Sequence, residues 1–465
     1  MPVGGRPVGP MDFRCAVEPL IRRDSPRSLT AASRPAGGLA NVLRANYPPE
    51  PVPSFASIQF ARSCTAAAFV LMASAGCGGA PEHPAVPAPS LPPPPALTGA
   101  PPLGCAAPLA DRSAKATALV ASELHTCALL DGGRVACWGR DEKRGRMNLC
   151  ESKHAALAVE LPFERGDQVA TSMEGTCTLS QGTVRCTEGI FTALCDDHAC
   201  GSGEVAALAG ASRIAVGDYH ICAIVRGEVV CVAPVFSHGV APVLANPGGR
   251  EAKRAPAGAG GEYARGKVSI RGATLVTAGS GFSCATDAAG AVWCWGANSF
   301  GVLGVPHGKE QDDGVLHRVA AFDGVVHLES NRVTTCAITR TGDTYCWGAD
   351  FDDGPAKMPF ERARDVAIGD GFVCAVDGAS RVTCAGKFRD VLGGEPLSFA
   401  GKPIEIASGS GRLCARLESG AIACAGISGY LGDGGGLPTP VNDGSGAMAV
   451  TLVHEPRYVL GPPAE

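Results

Sequence analysis

At roughly 100–200 residues per domain, the 465-residue chain has room for about two to four ordinary domains or for one large repeat array. Hydrophobic residues at 45% against 18% charged exclude wholesale disorder, and 62 Gly with 36 Pro favour short strands and turns over long helices. A formal charge of −5 argues against a nucleic-acid binder or a polybasic membrane reader, and 21 Cys point to an oxidising compartment.

Residues 1–63 scatter Arg among Pro, Gly and Ser without a sustained apolar period, and an unstructured N-terminal region is expected there. Residues 64–77 follow Arg62 with an apolar run from Thr65 to Ala75 and the small residues Gly76-Cys77. That order suits a secretory signal peptide, and the run is shorter than the about 20 residues a membrane span takes. Ser74-Ala75-Gly76-Cys77 resembles the lipobox of bacterial lipoproteins, which implies cleavage before Cys77 and lipidation of Cys77, although Ser74 stands where that family prefers Leu, Val or Ile. Because such segments open a precursor, the true start is expected between Pro51 and Arg62, with the earlier residues a mis-assigned extension. Residues 78–110 form a linker: ten of the 22 positions from Pro81 to Pro102 are Pro, the composition of an extended polyproline spacer.

From about residue 111 to 465 cysteines recur in pairs: Cys127 and Cys137, Cys177 and Cys186, Cys222 and Cys231, Cys284 and Cys294, Cys336 and Cys346, Cys374 and Cys384, Cys414 and Cys424. Folding each interval about its centre predicts a hairpin. A spacing of nine leaves a two-residue turn, Gln181-Gly182 or Arg226-Gly227. A spacing of ten leaves three residues ending in Gly133, Gly290, Gly342 or Gly420, because the last position of such a loop is left-handed and Gly adopts it without a Cβ clash. Gly378-Ala379-Ser380 departs from this rule. Opposed residues on antiparallel strands have α-carbons about 4.5–5.5 Å apart, within disulfide range, so each pair is expected to close across its own hairpin. Each such bond contributes on the order of 2–3 kcal/mol in the chain-entropy view. A zinc reading of these cysteines fails because no C-x2-C occurs.

Around the pairs one phrase returns. His125-Thr126-Cys127-Ala128-Leu129 precedes a hairpin, then come Cys137-Trp138-Gly139, Cys294-Trp295-Gly296 and Cys346-Trp347-Gly348, and Gly301-Val302-Leu303-Gly304 or Tyr430-Leu431-Gly432-Asp433-Gly434 follows as a Leu-Gly turn. This wording resembles the regulator-of-chromosome-condensation type repeat over about 345 residues. The resemblance is specific in repeats one, four and five and degenerate in two and three. First cysteines are offset by 50, 45, 62, 52, 38 and 40 residues. Seven such units imply an all-β, seven-bladed β-propeller, in which one terminus completes a blade begun by the other; residues from Ala449 to Val453 are expected to pair near the first repeat. The uneven offsets place insertions at 187–210 and 232–272, expected to emerge on one face.

No position is assigned to catalysis, a cofactor or a metal. Cys195-Asp196-Asp197-His198-Ala199-Cys200 reads as a disulfide-bearing loop, Cys195 with Cys200 or either with Cys150, more readily than as a metal site; the partner of Cys105 is left open. Asp350-Phe351-Asp352-Asp353-Gly354 lacks the ligand order of a calcium loop. Residues Gly261 to Lys267 have the spacing of a phosphate loop but continue with Val268 and no helix signal. His125 and His220 occupy equivalent repeat positions, as do Trp138, Trp295 and Trp347, so all five are expected to be structural, with Trp293 outside the pattern and open to exposure. No G-x-S-x-G or H-E-x-x-H occurs.

The sequence therefore predicts a non-catalytic, monomeric propeller, exported and either lipid-anchored at a bacterial envelope or secreted. It would bind an unidentified protein partner on one face, with membrane contact only through the anchor and no nucleic acid. Secreted bacterial β-lactamase-inhibitor propellers, a similar family, clamp proteins in this way. The exchange of nucleotide on a chromatin-bound GTPase, the activity that names the repeat, suits an acidic, disulfide-rich chain poorly. The alternative is an envelope enzyme or lectin directed at polysaccharide, which as an enzyme would need two carboxylates roughly 5–9.5 Å apart.

Overall fold

The computed structural model describes residues 104–141, 147, 149, 154–187, 189–190, 203–234, 253–256, 262–306, 315–351, 354–386, 397–427, 431–434, 439–440, 448–449 and 452–461. The expectations for residues 1–63, for the 64–77 segment with Cys77, for most of the Pro-rich linker, and for Cys150, Cys195 and Cys200 lie outside them. Seven antiparallel sheets follow one another in chain order and form a seven-bladed β-propeller. The inner strands are Ala116–Ala121, Gln168–Thr171, Ala211–Val216, Val276–Ala278, Val325–Ser330, Ala363–Gly369 and Pro403–Gly409. Each pairs with a second strand that carries the first cysteine, and that strand turns through a hairpin into a third strand carrying the second cysteine.

The predicted registers hold. Val225 faces Glu228 and Ser180 faces Thr183, and the turn residues Gln181, Gly182, Arg226 and Gly227 all take positive φ, from 48° to 81°. The seven disulfides close across their own hairpins. Their Cα separations of 4.0 or 4.1 Å lie a little below the expected range. The paired cysteines occupy the closer, non-hydrogen-bonded sites of the ladder, three steps from the Leu130 N to Arg134 O bond in the first blade.

The apolar core is not central. Seven clusters of buried side chains each span one seam between neighbouring blades, as expected for an array in which each unit buries its faces only against its neighbours. Polar pairs cross the seams at one repeat position. Two residues before the first cysteine stand His125, His220 and Arg412, and they meet the hydroxyl that precedes the first cysteine of the next blade. His125 Nε2 lies 2.9 Å from Thr176 Oγ1, His220 Nε2 lies 2.5 Å from Ser283 Oγ, and Arg412 Nε donates to Thr126 Oγ1 at 2.8 Å. Where the first member is Phe372, the partner position holds Leu413, and both join the apolar seam. Four of the seven seams are thus matched, hydroxyl to polar group or aliphatic to aromatic, as buried polar groups favour, whereas Gly175 with Ile221, Phe282 with Thr335 and Thr334 with Val373 are not.

Trp138, Trp295 and Trp347 are fully buried, and Trp347 Nε1 donates to Val302 O in the Leu-Gly turn of the preceding blade at 2.9 Å. Trp293 is half-buried and donates to Asp287. Glu262–Arg271 is a ten-residue strand with Gly266 opposite Cys231, so the Gly261 to Lys267 spacing is not a phosphate loop.

Two expectations are corrected. Leu452–Leu460 pairs with Ile422–Ile427 of its own seventh blade, and Ala107–Pro108 pairs with His154–Glu160 of the first, so among the described residues no strand is exchanged between the terminal blades. The long connection after Ile427 lets the chain return antiparallel to its own blade. The ring is closed instead by Arg112, whose side chain donates to Val459 O and Gly432 O, and by the Ala116 N to Gly420 O bond. The stretches 187–210 and 232–272 are also more than emerging loops: Gly203–Glu204 is the outer strand of blade 2, and Glu262–Arg271 with Lys253–Pro256 completes blade 3.

Candidate functional site

The inner strands run in the same sense, so their ends gather around the axis on one face, here called the upper face, while the hairpin turns lie on the lower face. All seven blades contribute to the upper mouth of the axial channel. Arg332, just beyond the inner strand of blade 5, reaches across the ring with Nε 3.2 Å from Asp218 Oδ2 of blade 3 and Nη1 3.5 Å from Glu123 Oε2 of blade 1. The backbone N–H of Met173 donates to Asp218 Oδ1, that of Ser280 to Arg332 O, and that of Ser410 to Glu123 O, while Asn331 Nδ2 donates to Gly369 O. Burial raises the Glu123 pKa, against the pull of Arg332. Burial also works against the Arg332 charge, but Glu123 and Asp218 outweigh it and raise that pKa. What remains open among these groups is a cavity of about 30 Å³, room for roughly one or two waters and not for an organic ligand. Tyr219 beside Asp218 and Phe300 in the turn after the third strand of blade 4 are exposed on the same face.

Below the mouth the inner strands have free edges, and polar side chains from the preceding blade serve their backbone groups. Gln168 exchanges two hydrogen bonds with Ile214, and Asp365 Oδ2 accepts from Ile406 N at 2.7 Å. Glu405, paired with Arg416, accepts from Leu119 N. His327 occupies the same tier in blade 5, with Nε2 3.3 Å from Asp365 Oδ1 and 3.6 Å from Glu329 Oε2. Burial pushes Asp365 up to about 6, with His327 opposing, and burial also raises Glu329 and Glu405. For His327 burial opposes the charge, but Glu329 and Asp365 outweigh it and raise the pKa.

None of these channel residues is singled out by sequence reasoning. Each takes its meaning from residues more than 30 positions away in other repeats, and the available signal is departure from the repeat: Glu329 stands opposite Cys336 where the other blades have Val120, Ala170, Ala215, Thr277, Ala367 and Ala407. Of the residues the sequence does single out, the fourteen paired cysteines come together as expected, Cys105 is disulfide-bonded, and His125 and His220 are buried seam residues. Asp352 and Asp353 lie outside the described residues.

Two segments, residues 116–145 and 273–302, match the profile of the Regulator of chromosome condensation (RCC1) repeat. The two matched RCC1 segments fall on blades 1 and 4, where the Trp-Gly wording is intact. Among solved structures, Prp20p from Saccharomyces cerevisiae, described together with its binding properties to Gsp1p and histones, is similar at 15% identity over 74% of this chain and 76% of that one, with a TM-score of 0.41. Human WBSCR16 is similar at 18% identity over 53% and 67%, TM-score 0.40. The CRINKLY WD40 ectodomain of the Arabidopsis thaliana receptor kinase ACR4 is similar at 15% identity over 67% and 99%, TM-score 0.38. No curated protein matches the chain.

Proposed function

We propose that this propeller is a non-catalytic protein-binding module that docks a partner on its upper face, held at a bacterial cell envelope through Cys77 or released from it. The observation that carries this reading is the closure of the channel mouth by Arg332, Asp218 and Glu123, which leaves about 30 Å³ and so leaves the broad face, not the channel, for recognition. Tyr219, Phe300 and the partly exposed Arg332 supply the residue types that dominate protein interfaces. Seven hairpin disulfides suit an oxidising, extracellular setting, and among the described residues no helix is long and apolar enough to cross a membrane.

The polysaccharide-directed enzyme has one observation in its favour: carboxylate oxygens of Glu329 and Asp365 lie within 4.8 Å of each other, near the roughly 5 Å of a retaining pair. His327 sits against both, and a sugar ring would have to reach them through a channel whose upper mouth is closed. A photo-crosslinking residue placed at Tyr219 or Phe300 of the full chain, with Val326 and Ile404 on the lower face as controls, separates the readings in an envelope extract. A single protein captured saturably from the upper positions alone is expected. Equal capture from both faces, or depletion of polysaccharide with no captured protein, overturns the proposal.

A further inference from the structure

We infer that His327, Glu329 and Asp365 form a binding site for a divalent transition-metal ion of the zinc class, which would fasten blade 5 to blade 6 beside the axis. His327 and Glu329 are two residues apart on one strand, so both side chains leave the same side. The Val326 bulge puts His327 at the tier of Asp365 on the next inner strand. One nitrogen and two carboxylate oxygens then lie within 4.8 Å of one another. The distances from His327 Nε2, 3.3 and 3.6 Å, match the edge of a tetrahedron with bonds of about 2.0–2.1 Å, which is about 3.4 Å.

Two further observations point to a ligand and not to a plain ion pair. The Nε2 atom is buried and makes no well-aligned hydrogen bond to either carboxylate, although it lies within ion-pair distance of both. The repeat supplies its own control. Six blades place a small or aliphatic residue opposite the first cysteine, whereas blade 5 places Glu329 there, beside Asp365 and close to Glu405. With His327 neutral, as a ligand imidazole is, three carboxylates stand there against Arg416 alone, a surplus of negative charge that a dication offsets. Glu405 is engaged by Arg416 and Leu119 N and stays outside the ligand set, so the fourth position falls to solvent, as in three-ligand zinc sites.

The test uses the full oxidised chain after treatment with EDTA. Titration with Co2+ is expected to produce ligand-field bands at one equivalent, bleached by Zn2+, and Zn2+ is expected to raise the melting temperature. Loss of a group that only hydrogen-bonds a ligand already weakens metal affinity about 10–100-fold, so His327→Ala and Glu329→Gln should each weaken binding by about tenfold or more. Glu329→Gln removes a charge from a crowded group, so in EDTA it should melt no lower than the native chain, and its loss of metal is then not a loss of fold. Absence of Co2+ bands in the native chain, or bands retained undiminished in both variants, overturns the assignment.

Discussion

At the seam between blades 5 and 6, Gly342 takes φ 82° and its carbonyl accepts from Ala363 N, so close that a Cβ on Gly342 would stand 2.6 Å from the Arg362 α-carbon. Five other seams repeat this arrangement, with backbone bonds from Gly166, Gly210, Ala273, Val325 and Ala116 to the preceding turn. At the seam between blades 6 and 7 both halves are changed. Ser380 stands in the turn where the other three-residue loops have Gly, and Pro403, with no N–H to donate, stands where Ala363 does. Ser380 takes φ 62° regardless, held by Asp377, whose carboxylate accepts from Ala379 N and Arg381 N and pairs with the Arg381 side chain. A cavity of about 770 Å³ lies beside it, lined in part by Phe360, Arg381, Phe399 and Pro403. Backbone docking between blades thus depends on a turn without a Cβ and a following residue with an N–H.

The largest contrast expected from this comparison is chemical. Thirteen of the fourteen hairpin cysteines are fully buried, and Cys384, which lines the cavity, is half-buried. Under limiting reductant Cys374–Cys384 should open first, read by alkylation and peptide mapping; another bond opening first would show that the seam is closed in solution. Next, Gly342→Ser combines left-handed strain with a backbone clash and should destabilise the oxidised chain by about 3 kcal/mol in denaturant melts, whereas a change below about 0.5 kcal/mol would break the comparison.

A third test contrasts seams by charge. Burial lowers His220 to about 4 from 6.5, so the unfolded chain takes up a proton first as pH falls. The stability that His220 gives is complete above pH 6.5 and is lost between there and about 4. Relative to His220→Phe, the residue type of Phe282 and Phe372 at the same position, the native chain should lose on the order of 2–3 kcal/mol across that window. Parallel curves for the two proteins would count against a neutral buried imidazole. Smallest, Ser380→Gly should stabilise by only about 0.5 kcal/mol, because Pro403 still denies the seam its bond.

The blades were legible because their signals are local. Cysteine spacing fixed the hairpin register, and Gly133, Gly290, Gly342 and Gly420 announced left-handed turn ends. The equivalence of His125 with His220 also marked them as structural, although that Arg412 belongs to the same set shows only when the seams are compared. Around the channel the reverse holds. Glu123, Asp218 and Arg332 look like ordinary loop charges, and His327 and Asp365 are 38 residues apart in sequence. They become a site only because successive blades bring one tier of inner-strand residues around one axis.

By itself the sequence determined the repeat, the sheet register and the disulfide pairing, since each rests on residues within about a dozen positions and on the two-residue alternation of strands. Tertiary structure alone decided how the ring closes, which seam is loose and which charges meet. Those outcomes depend on backbone approach between units that the chain connects only through variable loops. There, one Cβ at Ser380, one missing N–H at Pro403 and one carboxylate at Glu329 outweigh the repeat they interrupt.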